Sequence, residues 1–192
     1  MEKLKLNDIK NFFEYEKTRP NFRAKIIALK KDRRVPVGGK ITFVFENRDT
    51  MLFQIQEMAR IERITDDTLL QHELDTYNQL IPNGDELSAT LMVDINDKDE
   101  LKSTLDALTG MHREVYLEIG NEKIAAEFDE TQFTDERISA VQYIKFPLSQ
   151  EQKKNFRDNS IPVRLSITHL SYAHAVEIPQ NVRQSLIEDL SN

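Results

Sequence analysis

The chain has 192 residues, of which 39% are hydrophobic and 31% charged, and its formal net charge is −7. This balance is typical of one soluble globular domain and argues against disorder and against nucleic acid as a partner. Cysteine is absent, which excludes disulfides, thiolate catalysis and cysteine-bound metal clusters. Since no apolar run is long enough for a membrane span or a signal peptide, we expect a cytoplasmic protein that does not enter a membrane.

The first half of the chain is predicted to be mainly helical. Asn7 or Asp8 is expected to cap a short first helix, and Pro20 to start a second helix. Two amphipathic helices then follow a turn and a strand, and their short connection predicts an αα-hairpin. The predicted helices end near residues 16, 31, 64 and 80, the turn lies at 35–39, and the strand at 41–45.

The second half of the chain is predicted to mix strands with short helices. Leu87, Ala89, Leu91 and Val93 occupy every second position, which is the pattern of a strand with one buried face. Further strands are expected near residues 115–119, 123–128, 138–146, 163–167 and 172–178, and helices near 98–109, 150–156 and after 179.

These elements predict an α+β fold in a single domain, residues 1–192, with a subdivision into residues 1–84 and 85–192. The N-terminal helices, including the αα-hairpin, are expected to pack on a mostly antiparallel sheet. The order of elements after residue 85 contains a ferredoxin-like split β-α-β unit.

One segment departs from the negative net charge of the chain. Between Arg23 and Lys40 there are seven Lys or Arg residues and one acid, Asp32. This pattern fits a solvated basic face, or a contact with an anion or phosphate. Gly38-Gly39-Lys40 is similar to the end of a phosphate-binding loop, but the first glycine, the Ser/Thr and the following helix of that motif are missing.

Two carboxylates interrupt the apolar stripes of the αα-hairpin. At 100° per residue, Glu62 lies between Ile55 and Met58 on the first helix. Glu73 lies on the stripe that contains Tyr77 on the second helix. Because a buried carboxylate must be neutral, paired or bound to a metal, both residues are candidates for a site.

Two histidines near the C-terminus share the parity of the apolar strand residues. If the connection at Ser171-Tyr172 is tight, His169 and His174 are cross-strand neighbours that face a buried surface. Together with Glu62 and Glu73 they would form a histidine–carboxylate metal site, suited to Fe(II), Mn(II) or Zn(II).

Other interpretations of the same residues stay open. The carboxylates can pair with Arg48, Arg60 or Arg63 in a polar network that includes the histidines and holds no ligand. The chain can also be an interaction module that binds a redox partner through the αα-hairpin and has no small-molecule site. A metal-dependent enzyme is a further alternative, although no serine lies in a nucleophile elbow.

Three stretches of the sequence carry a resemblance to a known family. They are Arg33–Gly38 (RRVPVG), Phe45–Thr50 (FENRDT) with Gln56–Met58, and His72–Asn78 (HELDTYN) with Leu80–Pro82. Together they resemble a bacterial family known as domain-of-unknown-function family 3501, and the similarity extends over nearly the whole chain.

The resemblance implies a physiological setting rather than a mechanism. Members of the family are often encoded near a rubrerythrin-like protein and an iron–sulfur protein, which implies a redox or oxidative-stress role and partners of those two kinds. We therefore predict a metal- or small-ligand-binding accessory protein. The residues that the resemblance emphasises as ligand-binding are Arg48, Glu57, Arg60, Glu62, Glu73, Asp75, Tyr77 and Asn78.

Overall fold

The computed structural model of the chain describes residues 1–129, 133–134 and 137–190. The α-helices are α1 (Phe12–Lys31), α2 (Arg48–Ile61), α3 (Asp67–Asn78), α4 (Lys98–Ala107), α5 (Gln150–Arg157) and α6 (Gln180–Asp189). The strands are β1 (Arg34–Val37), β2 (Ile41–Glu46), β3 (Glu86–Val93), β4 (Val115–Ile119), β5 (Glu122–Ala125), β6 (Glu127–Phe128), β7 (Phe133–Thr134), β8 (Arg137–Ile138), β9 (Val141–Pro147), β10 (Val163–His169) and β11 (Tyr172–Glu177).

The strands form two main antiparallel sheets. One has five strands in the order β1-β2-β3-β9-β6, the other has four in the order β11-β10-β4-β5, and β7 pairs with β8. The predicted α+β class and antiparallel pairing are therefore confirmed. The ferredoxin-like unit is not found in this arrangement, because β3 and β9 lie in the five-stranded sheet whereas β4 and β10 lie in the other.

The main hydrophobic core draws residues from both sheets. It contains Phe43 and Phe45 of β2, Leu117 of β4 and Leu165 of β10, all fully buried. Strand alternation explains this, because every second side chain of β2 and β10 is apolar and points to the same face. Residues of α6, including Leu186, complete the core. Each such side chain contributes roughly 1.5–3 kcal/mol when it leaves water.

A second, smaller core joins the helices to the outer face of the five-stranded sheet. It contains Met51 and Ile55 of α2 and Leu74 of α3, and Tyr143 of β9 packs against it. The predicted αα-hairpin is thus confirmed, with α2 and α3 separated by five residues. Because Tyr143 lies opposite Thr90 on β3, the face of the sheet that carries Thr90 is turned toward these helices.

The N-terminal region differs from the prediction. A 3-10 turn at Leu6–Asp8 precedes one continuous helix, α1, which Asn11 caps by accepting a hydrogen bond from the Glu14 N–H at 3.1 Å. Pro20 lies inside α1 instead of starting a helix. Tyr15 and Ile26 are buried on either side of it, so tertiary packing outweighs the lost backbone hydrogen bond.

The basic residues between Arg23 and Lys40 lie in separate environments. Lys25 Nζ lies 2.7 Å from Asp49 Oδ2, and Lys40 Nζ lies 3.1 Å from Glu100 Oε1. Arg33 is buried and pairs with Asp189 of α6. Residues 35–37, predicted as part of a turn at 35–39, belong to β1, which pairs with β2.

No helix in the described part of the chain is long and apolar enough to cross a membrane.

Candidate functional site

Glu57 and Arg60, two of the predicted ligand-binding residues, hold α1 against α2. Glu57 accepts hydrogen bonds from Tyr15 Oη at 2.7 Å and from Arg19 Nε and Nη2 at 2.7 and 2.8 Å. The Arg19 guanidinium holds the pKa of the Glu57 carboxyl below its ordinary value, and Tyr15 adds to this effect. Arg60 Nε pairs with Glu16, the residue after Tyr15 on α1. This polar network is satisfied within the protein and has a structural role.

Arg48 and Asn78 fix the N-terminal segment to the helices. Arg48 Nη2 lies 3.0 Å from Asp8 Oδ2 in the 3-10 turn. The Asn78 side chain accepts a hydrogen bond from Leu4 N–H at 2.7 Å and donates one to Leu4 O at 2.9 Å. The side chains of both residues therefore form their polar contacts with the N-terminal segment of the same chain.

Glu62 and Asp75 lie in solvent. Glu62 is exposed at the C-cap of α2, so the prediction that it points into the apolar stripe is wrong. Glu62 keeps helical backbone angles and its N–H donates to Met58 O, but this end of α2 is not covered, since the adjacent Ile61 is 65% exposed. Asp75 is exposed on α3 and accepts a hydrogen bond from Gln71 Nε2 at 2.8 Å.

The two histidines are not direct cross-strand neighbours. In the β10–β11 hairpin, His169 pairs with Tyr172 and His174 pairs with Ile167. His169 is half-buried, and its Nε2 lies 3.2 Å from Thr109 O. His174 is exposed on an edge strand, so it does not face a buried surface as predicted.

The four residues predicted to bind a metal do not assemble. Glu62 and Glu73 belong to the helical layer, whereas His169 and His174 belong to the hairpin of the four-stranded sheet. Within the described ranges, no three His, Asp or Glu side chains are placed to hold a metal ion. Helical and strand periodicity located each residue on its own element but carried no information on which elements meet.

Glu46, at the end of β2, is a buried carboxylate that the protein leaves partly unsatisfied. Glu46 is 3% exposed, and its backbone carbonyl accepts a hydrogen bond from Arg33 Nη2 at 3.1 Å. Oε1 accepts a hydrogen bond from Thr90 Oγ1 at 2.7 Å. Oε2 is buried and has no hydrogen-bonding partner among the described residues. Burying a carboxylate oxygen without a hydrogen-bond donor or a positive charge beside it costs free energy.

A second orphan oxygen lies beside Glu46 on the neighbouring strand. The register of β2 and β3 places Ser88 directly opposite Glu46 on the outer sheet face. Ser88 is 1% exposed, and its Oγ is also buried without a partner in the described part of the chain. Directly opposite residues on one face of an antiparallel pair have Cβ atoms about 5 Å apart. One small hydrogen-bond donor therefore has two acceptors within reach.

Two tyrosines and a second carboxylate surround this position. Tyr143 of β9 pairs with Thr90 in the sheet, and Tyr77 of α3 packs against the same small core. Burial raises the pKa of Tyr143 to about 12, and Tyr77, Glu46 and Glu73 act in the same direction. The Tyr143 phenol therefore stays neutral near pH 7. We call Glu46, Glu73, Tyr77, Ser88, Thr90 and Tyr143 the carboxylate–tyrosine cluster.

The chemistry of the carboxylate–tyrosine cluster suits a positively charged donor. It offers two carboxylates, unsatisfied acceptor oxygens on Glu46 and Ser88, and two aromatic rings whose faces attract cations. No lysine or arginine of the described residues forms an ion pair with Glu46 within 4.0 Å. Lys145 of β9, which lies opposite Ser88, pairs with Glu86 at 3.1 Å instead.

The sequence located part of this cluster. Glu73 and Tyr77 were singled out, while Ser88, Thr90 and Tyr143 were missed because hydroxyl groups on strands are common on solvated faces. Glu46 did carry a signal, since it belongs to the FENRDT stretch and shares the parity of Val44, a residue of the outer sheet face.

Comparison with known proteins indicates a family but no activity. The family described as "Protein of unknown function (DUF3501)" matches residues 3–190. The chain is also similar to the crystal structure of a novel protein of unknown function from Burkholderia pseudomallei K96243, at 32% sequence identity and a TM-score of 0.92. That similarity covers 98% of this chain and 100% of the other. None of the curated proteins matches the chain significantly.

Proposed function

The chain belongs to the DUF3501 family of proteins of unknown function, and we propose that it is a small-ligand-binding protein whose ligand carries a protonated amine. The amine binds in the carboxylate–tyrosine cluster, between α3 and the outer face of the five-stranded sheet. The observation that supports this proposal is the buried, unpartnered Oε2 of Glu46.

An ammonium group matches the unsatisfied atoms in kind and charge. It has three N–H donors and no acceptor, and the cluster presents the acceptors Glu46 Oε2 and Ser88 Oγ. Its charge compensates the buried Glu46 carboxylate, and the rings of Tyr77 and Tyr143 supply a cation–π environment. Glu73, half-buried at the edge, adds a second negative charge that attracts a cation.

The donor set favours an organic cation over a transition metal. Iron, manganese and zinc sites in proteins usually have three or more protein ligands, often including histidine. The cluster contains two carboxylates and no histidine. The predicted docking of a rubrerythrin-like or iron–sulfur protein on the αα-hairpin stays a prediction.

Calorimetric titration with n-butylamine tests the proposal, with 1-butanol as the neutral analogue of the same size. We expect saturable binding of the amine and none of the alcohol. Glu46→Gln should weaken amine binding by at least about tenfold, since it removes the charged acceptor. Glu62→Gln removes an exposed carboxylate from α2 and should leave the affinity within about twofold. Equal affinities for amine and alcohol, or equal effects of the two variants, would contradict the proposal.

The stability of the Glu46→Gln variant separates a binding role from a structural one. Glutamine keeps an oxygen to accept from Thr90 and places an N–H group near Ser88 Oγ, so no buried group loses a partner. We therefore expect the free energy of unfolding in urea to stay equal or to rise by up to about 1 kcal/mol. A loss of more than about 2 kcal/mol in urea denaturation would show that the charge of Glu46 supports the fold.

A further inference from the structure

A separate cavity of about 420 Å³ lies where the N-terminal 3-10 turn and α1 meet α2. Phe22 of α1 and Leu52 of α2 supply apolar wall surface. Three lysines also line it, Lys10, Lys17 and Lys25. The volume falls within the range of small-molecule sites, which is roughly 300–1,000 Å³.

Buried and hydrogen-bonded side chains give this cavity fixed walls. Gln56 is 3% exposed, and its side chain accepts from Lys10 N–H at 2.8 Å and donates to Lys10 O at 3.1 Å. Tyr15 is 1% exposed and donates to Glu57 at 2.7 Å. The shape of the cavity is therefore set by groups that have their partners already.

The charge of the cavity lining is opposite to that of the protein. Three lysines and one acid, Asp8, give a local charge of 3 − 1 = +2, whereas the whole chain carries −7. Asp8 is itself paired with Arg48, at 3.0 Å. Lys25 is paired with Asp49, but Lys17 has no acidic partner in the described part of the chain.

We infer that this cavity binds a small amphipathic carboxylate. The apolar part of the ligand packs on Phe22 and Leu52, and its carboxylate lies among the lysine ammonium groups. Neither feature suffices alone, because exposed lysines hold a simple anion weakly and the apolar wall is small. The site is distinct from the carboxylate–tyrosine cluster, with which it shares no residue.

Heteronuclear NMR titration with three probes tests the inference. Hexanoate has both the anion and the apolar body, acetate has the anion alone, and 1-hexanol has the body alone. We expect hexanoate to bind at least about tenfold more tightly than either single-feature probe, since acetate lacks its methylene groups and 1-hexanol lacks its charge. Its shifts should map to amides around Phe22 and Leu52, and the affinity should fall as NaCl is raised.

A matched pair of charge variants makes the test specific. Lys17→Gln removes a cation from the cavity lining, and Lys31→Gln removes one from the C-terminal turn of the same helix, outside the cavity. Both lysines are exposed, so both variants should fold. We expect Lys17→Gln to weaken hexanoate binding about fivefold and Lys31→Gln by less than twofold.

Several results would overturn the inference. These are hexanoate binding no tighter than acetate, 1-hexanol binding as tightly as hexanoate, or equal effects of the two lysine variants. The Glu46→Gln variant should bind hexanoate like the wild type, so this test fails or succeeds independently of the proposed amine site.

Discussion

At the scale of single residues, Gly38 occupies a position that strongly favours glycine. Its φ is +64°, and a Cβ atom there would overlap Tyr172 Oη and lie 2.7 Å from His174 Cδ2. The Tyr172 hydroxyl is already fixed, since it donates to Val37 O at 2.7 Å and accepts from Lys40 N–H at 3.0 Å. The glycine therefore allows β11 to close on the β1–β2 turn.

Gly38→Ala should destabilise the protein in urea denaturation. The positive φ alone costs roughly 1–2 kcal/mol for alanine, and the contact with Tyr172 adds to that cost. Gly39→Ala is the matched control, because a Cβ at Gly39 meets no atom within 4 Å. Equal midpoints for the two variants would contradict this account of Gly38.

Glu57 should contribute to stability at neutral pH, and this contribution should be lost at acid pH. Its folded-state pKa lies below the ordinary value of 4.5 because Arg19 donates to the carboxylate. A lowered pKa means that the contribution is complete well above pH 4.5 and is lost as the pH falls through the folded pKa. We expect Glu57→Gln to lower the free energy of unfolding by about 1–3 kcal/mol at pH 7. Urea denaturation should show this difference shrinking steadily below pH 4.5.

Two comparisons control the Glu57 experiment. Glu62→Gln, on the exposed C-cap of the same helix, should change stability by less than about 0.5 kcal/mol at any of these pH values. If the Glu57→Gln difference stayed constant down to pH 3, the carboxylate charge would not be its cause.

At the scale of secondary-structure elements, local sequence patterns were sufficient to predict those elements that are amphipathic and capped. Helix α2 and helix α3 were predicted from their apolar spacing, and Asp66 and Asp97 cap α3 and α4 in the structure. The strand pattern of β3 was equally clear. Local patterns failed at Pro20, since a proline normally indicates a helix start, and here burial of Tyr15 and Ile26 keeps α1 continuous.

The attachment of α6 to the sheet depends on a buried ion pair that the sequence did not indicate. Arg33 and Asp189 are 1% and 2% exposed, and Arg33 also donates to Phe45 O at 2.8 Å and to Ser185 Oγ at 3.1 Å. Burial raises the pKa of Asp189 despite the opposing effect of Arg33. Because the two residues are 156 positions apart in sequence, no local pattern links them.

Asp189→Asn should be strongly destabilising, because it leaves the buried Arg33 charge uncompensated. We expect a loss of roughly 3–5 kcal/mol in urea denaturation. The double variant Arg33→Met with Asp189→Leu removes both charges and should recover a large part of that loss. A double variant that is less stable than Asp189→Asn would show that the pair contributes through its hydrogen bonds rather than through charge compensation.

At the scale of the whole molecule, the carboxylate–tyrosine cluster exists only because three strands and a helix meet. The sheet order β2-β3-β9 places Ser88 opposite Glu46 and Tyr143 opposite Thr90, and α3 adds Glu73 and Tyr77. Helical periodicity singled out Glu73, and the family resemblance emphasised both Glu73 and Tyr77. The sequence could not identify the strand residues, because strand order is set by long-range packing rather than by local pattern.

The same argument explains why the predicted metal site did not form. Glu62, Glu73, His169 and His174 were each selected for lying on an apolar face of their own element. Two sheets, instead of the single sheet that was expected, place the hairpin of His169 and His174 outside the sheet that carries the αα-hairpin. A site is a property of the assembled layers, so residues chosen element by element need not converge.

The most direct test of the central claim is a crystal structure of the protein grown with n-butylamine. Our account predicts an amine nitrogen at hydrogen-bond distance, about 2.7–3.2 Å, from both Glu46 Oε2 and Ser88 Oγ, with the alkyl chain beside Tyr77 and Tyr143. An amine bound elsewhere, or a Glu46 carboxylate satisfied by water alone at a saturating amine concentration, would contradict it.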